Sequence, residues 1–515
     1  MDKFILLSLV GLGIATAKSQ INYQLDSVNR LDSIPIVIKG RIEGGNSFHD
    51  TIKLAYLKVD TYAATVGAER RELITNDKGE FGCSLSGIHN PGRLNLILCG
   101  YSNIYANIYE SLEGYIVEPG DSVFIIIKRT EGKLIYIFSG RGATKYQCRK
   151  EIDIEKKQID SAIGKERQSQ AFWDIENWGR RKIYADSIIK IEMKIVNLFK
   201  KDITSVTYRI LQADIIGEIE NDYLVNFYIQ EYIDKNEVQN HNLYQQFLSL
   251  QVDTTQSNIL AFSPNYIHYL ILSSLLHLYI EKGCNNNYNL PTVYSKGIKE
   301  WYFHLKNDYC GPLRDMALIS LLTDNRIGNN GTDYDDCLKD ALTTIETQYI
   351  KETAKRWFGV KSKGSIAYNF ALSDTSGKII HLSDFLCKIV LIDIWFTGCG
   401  GCREWAKEAE KNLYPKFKNN ANIIFVSISG DQNKNKWLQS VRAEKYSRKE
   451  NINLYTDGLG FNHPFMKFYD FYGGPYLMLI DRNSRIYSCA PPRDANELAD
   501  LIFKVLGEKN KLVNK

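Results

Sequence analysis

The chain has 515 residues, of which 44% are hydrophobic and 24% charged, as in ordinary globular proteins. This length exceeds that of a single domain, and about three domains are expected. The net charge of +4 is too small to indicate a nucleic-acid partner or an anionic membrane surface.

Residues 1–19 are predicted to be a secretory signal peptide. Lys3 supplies a positive charge, the apolar segment Phe4–Ile14 follows, and Ala15–Ala17 matches an A-x-A cleavage site. The apolar segment is too short to span a bilayer, which takes about 20 apolar residues, and no other segment is long enough. We therefore expect export to the periplasm or cell envelope, with no transmembrane span in the mature chain.

Export would place the ten cysteines in an oxidising compartment. Only Cys399 and Cys402 are closely spaced, and the other eight show no disulfide framework, so most are interpreted as buried apolar residues. Cys83 and Cys99 are candidates for a pair across neighbouring strands. No second pair of cysteines or histidines has the spacing of a zinc site, so no metal is expected.

Residues 25–144 are predicted to form a β-rich domain, a small antiparallel sandwich or barrel. β-Branched or alternating runs are separated by turn signals, and the runs lie at 36–42, 52–57 and 123–127. The charged residues of this region form no cluster that suggests catalysis.

Residues 145–360 are predicted to be a helical domain that joins the two ends of the chain. Apolar residues recur at helical spacing at Ile188, Ile191, Ile195 and Leu198. Similar patterns predict further helices at 207–234, 264–282 and 313–322.

Residues 361–515 are predicted to alternate strands and helices. The predicted order is a hairpin around Asp374–Gly377, a buried strand at 389–396, a helix at 401–418, a buried strand at 422–428, a helix at 434–445, an irregular stretch to residue 472, a hairpin at 476–489 and a helix at 496–506. Alternation of buried apolar strands with helices indicates an α/β sheet.

Cys399-Gly400-Gly401-Cys402 lies where the first buried strand meets the next helix. Two cysteines at this spacing are typical of a dithiol redox site. The first sulfur would lie at a helix N-terminus, where unpaired N–H groups and the helix dipole favour a thiolate, the nucleophile of thiol–disulfide exchange. The three-residue offset places both sulfurs within disulfide reach on the first turn.

This motif, with Asp393-Ile394-Trp395 before it and Gly474-Pro475 after it, resembles the exported TlpA/ResA-type thioredoxin-like proteins. The resemblance covers residues 361–515 and implies a thioredoxin fold and a thiol–disulfide oxidoreductase that needs no cofactor. More diffusely, the β-rich domain and the helical region resemble the N-terminal portions of some Gram-negative envelope thiol–disulfide interchange proteins.

The resemblance implies catalytic roles for four residues. Cys399, exposed at the helix start, attacks a substrate disulfide, and Cys402, more deeply buried, resolves the mixed disulfide. Asp393 accepts the proton of Cys402, and burial would raise its pKa. The alternative for Asp393 is a carboxylate hydrogen-bonded to the backbone. Pro475 is the expected cis-proline beside the disulfide.

The same resemblance implies two substrate-binding residues. Gly474 would offer backbone groups to the substrate peptide, and Trp395 would pack beneath the site. His381 and His463 have no partner at metal spacing and are interpreted as structural. Cys387 and Cys489 are interpreted as buried thiols, with a third redox sulfur as the alternative.

The direction of electron flow is less closely determined. Thioredoxin has Trp before the first cysteine and Gly-Pro between the two, whereas this chain has Gly398 and Gly400-Gly401. By family likeness we expect a reductant of disulfides in envelope proteins, supplied with electrons by a membrane thiol carrier. The alternatives are a disulfide oxidase or isomerase of the same fold, a peroxide-reducing relative, and a non-catalytic binding protein.

Overall fold

A computed structural model of the chain describes residues 34–44, 50–57, 59–60, 65–66, 69–98, 111–130, 133–167, 178–233, 256–281, 298–323, 332–471 and 473–507. The predicted signal peptide and Cys99 lie outside the described residues, so the predictions made for them stay predictions. Within these ranges, no helix combines the length and the apolar character that a membrane span requires.

The N-terminal part is built from strands, as predicted. They are β1 (Ile36–Glu43), β2 (Thr51–Leu57), β3 (Val59–Asp60), β4 (Thr65–Val66), β5 (Glu69–Ile74), β6 (Glu80–Leu85), β7 (Gly92–Leu98), β8 (Leu112–Val117), β9 (Ser122–Thr130) and β10 (Lys133–Arg141). Two four-stranded sheets have the orders β10-β9-β1-β6 and β5-β2-β7-β8, and β3 pairs with β4.

The two larger sheets pack face to face as a sandwich. Ile38 of β1 and Leu54 of β2 are buried in one apolar cluster to which both sheets contribute. Alternate residues of β1 point into this core, as expected for strands with one solvated face. The prediction of a purely antiparallel sandwich is wrong at one place, because β1 and β9 are parallel. Their distance along the chain removes the hairpin constraint that makes neighbouring strands antiparallel.

Nine helices follow in the described part of the middle region. They are α1 (Ala143–Arg167), α2 (Trp178–Phe199), α3 (Ser205–Ile233), α4 (Ser257–Leu260), α5 (Pro264–Glu281), α6 (Ile298–Asp308), α7 (Gly311–Thr323), α8 (Thr332–Thr344) and α9 (Gln348–Lys361). The helices predicted from apolar periodicity are confirmed, although Ile191 and Leu198 are exposed rather than buried. The exact domain boundaries stay a prediction.

The C-terminal part is an α/β sheet. Its elements are β11 (Ala371–Asp374), β12 (Ile379–His381), β13 (Ile389–Trp395), α10 (Gly400–Asn412), β14 (Ile423–Ser429), α11 (Lys434–Arg442), β15 (Ile452–Tyr455), α12 (Pro464–Phe468), β16 (Tyr476–Ile480), β17 (Ile486–Ser488) and α13 (Ala495–Gly507). The seven strands have the order β12-β11-β15-β14-β13-β16-β17.

Strand β13 is central and buried at every residue. Val390 and Ile392 face one apolar cluster, whereas Ile389 and Leu391 face another that includes α10 and α13. Burial on both faces explains the continuous apolar run in the sequence. The carboxyl end of β13 leads through a short turn into α10, so the fold places Cys399 at the edge of the sheet.

Two details of this region differ from the prediction. The helix expected at 401–418 ends at Asn412 and is followed by a 3-10 turn, Tyr414–Phe417. Pro415 lacks the N–H that an α-helix interior requires. Strand β15 was missed within the stretch expected to be irregular, because four residues are too few to show a clear period.

A buried ion pair connects the sandwich to the helices. The Arg93 guanidinium of β7 donates to both carboxylate oxygens of Asp214 in α3, over 2.7 and 2.8 Å, and also to the carbonyl oxygen of Phe262 over 2.8 Å. Both side chains are buried. Breaking such a pair by removing one partner leaves the other charge buried without compensation.

We expect Arg93→Ala to destabilise the protein by about 3–5 kcal/mol, because the Asp214 carboxylate would lose its cation. Urea unfolding followed by fluorescence measures the change. Arg41→Ala is the matched control, since Arg41 pairs with Glu43 in an exposed position and should contribute at most about 1 kcal/mol. Equal effects of the two substitutions would contradict this account of the connection.

Candidate active site

A disulfide joins Cys399 and Cys402 at the first turn of α10, with 5.3 Å between their Cα atoms. Cys399 is the N-cap of the helix, and its Sγ accepts a hydrogen bond from the backbone N–H of Cys402 over 3.0 Å. Cys399 is 7% exposed and Cys402 is 1% exposed, so the predicted order of accessibility is confirmed. The expectation of an exposed Cys399 is wrong in this disulfide form, in which both cysteine residues are buried.

The turn before Cys399 is held by hydrogen bonds that the sequence did not indicate. The Asp431 carboxylate accepts from the backbone N–H of Thr397 over 3.0 Å and from its hydroxyl over 2.7 Å. The N–H of Gly398 donates to the Tyr446 hydroxyl over 3.0 Å. The sequence signal for Asp431 is an acid two residues after the end of a buried strand beside β13.

The backbone conformation explains why position 398 is a glycine, which departs from the thioredoxin pattern. Its φ of +103° lies in a region that side chains rarely adopt, so glycine is favoured there.

Gly474 and Pro475 pack against the disulfide. Their peptide bond is cis, as the sequence predicts. A Cβ atom on Gly474 would lie 2.9 Å from Cys402 Sγ, and one on Gly401 would lie 3.3 Å from Pro475 Cδ. The glycines therefore permit close contact between the two segments. The exposed Arg493, which sequence reasoning missed, donates to the Pro475 carbonyl oxygen over 3.1 Å.

Trp395 packs beneath the site, as expected. Its Nε1 donates to Ser427 Oγ over 2.7 Å, and its ring stacks on Tyr446 with 5.2 Å between centroids. The side chain is fully buried. The prediction that Trp395 binds substrate is therefore wrong for direct contact, because no surface of the indole is available. It supports the turn and the disulfide from below.

Asp393 lies in the middle of the buried sheet. Among the described residues, no group donates a hydrogen bond to its buried Oδ1, which disfavours the alternative of a carboxylate held by the backbone. Burial raises the pKa of Asp393 to about 8. The expected direction of the pKa change is confirmed, and the role of Asp393 in proton transfer stays a prediction.

The remaining candidates are placed apart from this chemistry. His463 Nδ1 accepts from the N–H of Phe465 over 3.2 Å and so caps α12. Cys489 is buried, and burial raises the pKa of its thiol to about 12, which disfavours the reactive thiolate. Cys387 is exposed rather than buried, which corrects the prediction. Across the part of the chain that the structure describes, no group of three or more His, Cys, Asp or Glu residues is arranged to hold a metal ion.

Residues 364–487 match the family model described as the AhpC/TSA family. The C-terminal region is therefore a thioredoxin-like domain, as the sequence predicts. A stretch of 69 residues, 13% of this chain, is 42% identical to the thiol-disulfide oxidoreductase ResA of Bacillus subtilis and covers 37% of that protein. The ResA of Bacillus cereus is 35% identical over 69 residues, with 39% of its length covered. The chain thus spans less than two-fifths of these curated relatives.

Solved structures of thiol-disulfide oxidoreductases and of a thiol:disulfide interchange protein are also similar to part of the chain. A thiol:disulfide interchange protein from a Bacteroides species is 26% identical, with 29% of this chain and 94% of that chain covered and a TM-score of 0.25. A thiol-disulfide oxidoreductase from Bacteroides fragilis is 19% identical, with 27% of this chain and 98% of that chain covered and a TM-score of 0.25.

The pKa of Asp393 predicts how stability depends on pH. An unfolded Asp ionises near pH 4, whereas folded Asp393 stays protonated up to about 8. Between these values only the folded state holds the proton, so Asp393 lowers stability increasingly as the pH rises. We therefore expect the stability of oxidised Asp393→Asn, relative to that of the wild-type protein, to increase from pH 5 to pH 8 by on the order of a few kcal/mol.

Thermal unfolding midpoints of both proteins across this pH range measure the difference. Asp374→Asn is the control, because hydrogen bonds from Ser376 lower the pKa of Asp374 and confine its effect to acid pH. A difference between Asp393→Asn and wild type that does not change with pH would contradict a raised pKa.

Proposed function

We propose that the chain is an exported thiol–disulfide oxidoreductase that exchanges disulfides with envelope proteins and acts as a reductant. The observation that carries the proposal is the Cys399–Cys402 disulfide at the first turn of α10, packed against Gly474 and Pro475. This arrangement lies in a region whose curated relatives are named thiol-disulfide oxidoreductases.

In the proposed reaction, the reduced enzyme attacks first through Cys399. The N-terminus of α10 favours its thiolate, which bonds to one sulfur of a substrate disulfide while the other substrate sulfur leaves. Cys402 then attacks Cys399, restores the enzyme disulfide and releases the reduced substrate. The greater exposure of Cys399 supports this order of attack.

Asp393 is proposed to accept the proton of Cys402. A group whose pKa is near the working pH can both take up and release a proton efficiently. Burial gives Asp393 a pKa of about 8, close to the ordinary value of a cysteine thiol. No cofactor is required, because both electrons of the exchange come from the two thiols.

The surface beside the disulfide is proposed to bind an extended substrate segment. Gly474 is half-buried beside Pro475, and the Arg493 guanidinium adds a positive charge at that edge. The sandwich and the helical region are proposed to select or dock the substrate protein. Electrons are proposed to come from a membrane thiol carrier, since the enzyme must be reduced again after each turnover.

Trapping experiments test the exchange. We expect Cys402→Ser to accumulate mixed disulfides with envelope proteins, because Cys399 can attack but the resolving sulfur is missing. Cys399→Ser should trap nothing, and Cys489→Ser should behave as wild type since its buried thiol is protonated. Non-reducing gels of cells that express each variant provide the measurement. If Cys402→Ser captures no partner, a non-catalytic binding protein is the better description.

Equilibration with glutathione buffers tests the direction of electron flow. We expect a potential near the thioredoxin end of the family range, about −270 mV. A value near about −120 mV would instead indicate an oxidase. Peroxide turnover that persists in Cys402→Ser but not in Cys399→Ser would favour a peroxide-reducing relative.

A further inference from the structure

A cavity lies between the helical region and the edge strand of the C-terminal sheet. Its volume is about 190 Å³, and residues of α8, α9, β17 and α13 line it. An apolar cavity of about 150 Å³ is large enough to hold benzene. The space between these four elements therefore accommodates one six-membered ring that carries a small substituent.

Four aromatic side chains line this cavity. They are Tyr334 of α8, Trp357 and Phe358 of α9, and Tyr487 of β17. All four residues are buried. Aromatic rings provide large apolar surfaces on which a second ring packs edge-to-face or with an offset. The walls of the cavity therefore favour a ligand whose body is itself an aromatic ring.

The charged residues of the lining are mainly positive. Three are lysines, Lys361 at the end of α9, Lys363 just after it and Lys504 of α13, and the single acid is Asp335 of α8. Lys361 and Asp335 are half-buried, whereas Lys363 and Lys504 are exposed at the rim. Burial raises the pKa of Asp335, which disfavours its negative form. This excess of cations favours an anionic ligand over a neutral or positive one.

Lys361 is the cation that reaches furthest into the protein. Its ammonium lies over the Trp357 ring, 4.4 Å from the ring centroid. Among the described residues, no carboxylate is within ion-pair distance of this ammonium, and the nearby Asp470 is instead 3.9 Å from Arg356. Burial lowers the pKa of Lys361 to about 8, as expected for an ammonium that lacks a compensating anion. At pH 7 most of the Lys361 side chains are nevertheless charged.

Other polar groups of the lining already have partners or carry no charge. The Tyr334 hydroxyl donates to the carbonyl oxygen of Leu322 over 2.6 Å, and the Ser362 hydroxyl donates to that of Phe358 over 2.6 Å. Burial raises the pKa of the Cys489 thiol to about 12, so this sulfur is neutral. The Lys361 ammonium is thus the charged donor that an anion inside the cavity would meet.

We propose that this cavity binds a small aromatic carboxylate. The carboxylate pairs with the Lys361 ammonium, and the ring packs against the aromatic walls. Lys363 and Lys504 attract the anion to the rim. The site is separate from the Cys399–Cys402 disulfide, so it is a binding function in addition to the proposed disulfide exchange.

Such a ligand would contact both regions that meet at the cavity. Trp357 and Lys361 belong to the helical region, whereas Tyr487 and Leu501 belong to the C-terminal domain. A ligand that binds only the folded protein stabilises it in proportion to its occupancy. Bound carboxylate should therefore raise the thermal unfolding midpoint of the full-length chain.

Four probes separate the effect of charge from that of the ring. Benzoate, benzamide and benzylamine share the ring and differ in charge, and acetate keeps the charge without the ring. Isothermal titration at pH 7 of the oxidised full-length protein measures their affinities. We expect benzoate to bind about tenfold or more tightly than benzamide, because a hydrogen bond to a charged group is lost. Acetate should also bind about tenfold or more weakly than benzoate, because it buries no ring, and benzylamine should not bind.

Two substitutions locate the binding. Lys361→Met keeps a side chain of similar length without the charge, and we expect it to weaken benzoate binding about tenfold or more while it leaves benzamide binding unchanged. Lys436→Met is the matched control, since Lys436 of α11 is exposed and outside the cavity. Leu501→Trp places a larger side chain in the cavity wall and should abolish the binding of both benzoate and benzamide.

Several outcomes would overturn the proposal. They are the absence of benzoate binding at millimolar concentration, benzylamine or acetate binding as tightly as benzoate, and equal benzoate affinities in wild type and Lys361→Met. If neither substituted protein folds, the four probes on the wild-type protein decide alone. None of these measurements uses a disulfide substrate, so their result does not depend on whether the chain exchanges disulfides.

Discussion

The pairing of β13 with two neighbours is the constraint on which the site depends. β14 runs parallel to β13 on one side, and β16 runs antiparallel on the other. The carboxyl end of β14 therefore brings Asp431 to the turn before Cys399, and the start of β16 brings Pro475 to its opposite side. In the sequence, Asp431 lies more than 30 residues after Cys399, and Pro475 lies about twice as far away. The surroundings of this four-residue motif are therefore set by distant segments of the chain.

The same strand also carries the least favourable group of the site. A carboxyl inside a sheet that is buried on both faces loses hydration, and its pKa rises to about 8. This loss of stability is consistent with the proposed role of Asp393 as a proton acceptor beside the disulfide.

The sandwich and the helices are connected to each other by buried charge as well as by apolar packing. Arg93 contacts both Asp214 and the carbonyl of Phe262, so one guanidinium spans two segments of the helical region. Such a bidentate pair fixes orientation more tightly than apolar contact, since its geometry tolerates little rotation. The two regions are thereby held in a defined relation, which suits a proposed role in docking substrates.

The sequence by itself determined the alternation of buried strands and helices in the C-terminal region, its thioredoxin-like character and the position of the Cys399-x-x-Cys402 motif. Buried strands, amphipathic helices and a C-x-x-C spacing are local patterns, which can be recognised in a sequence without knowledge of the fold. Only the tertiary structure decided that Trp395 is inaccessible, that Cys387 is exposed and that β1 runs parallel to β9. It also brought Asp431, Tyr446 and Ser427 to the site, since tertiary contacts join residues whose separation in sequence carries no periodic signal.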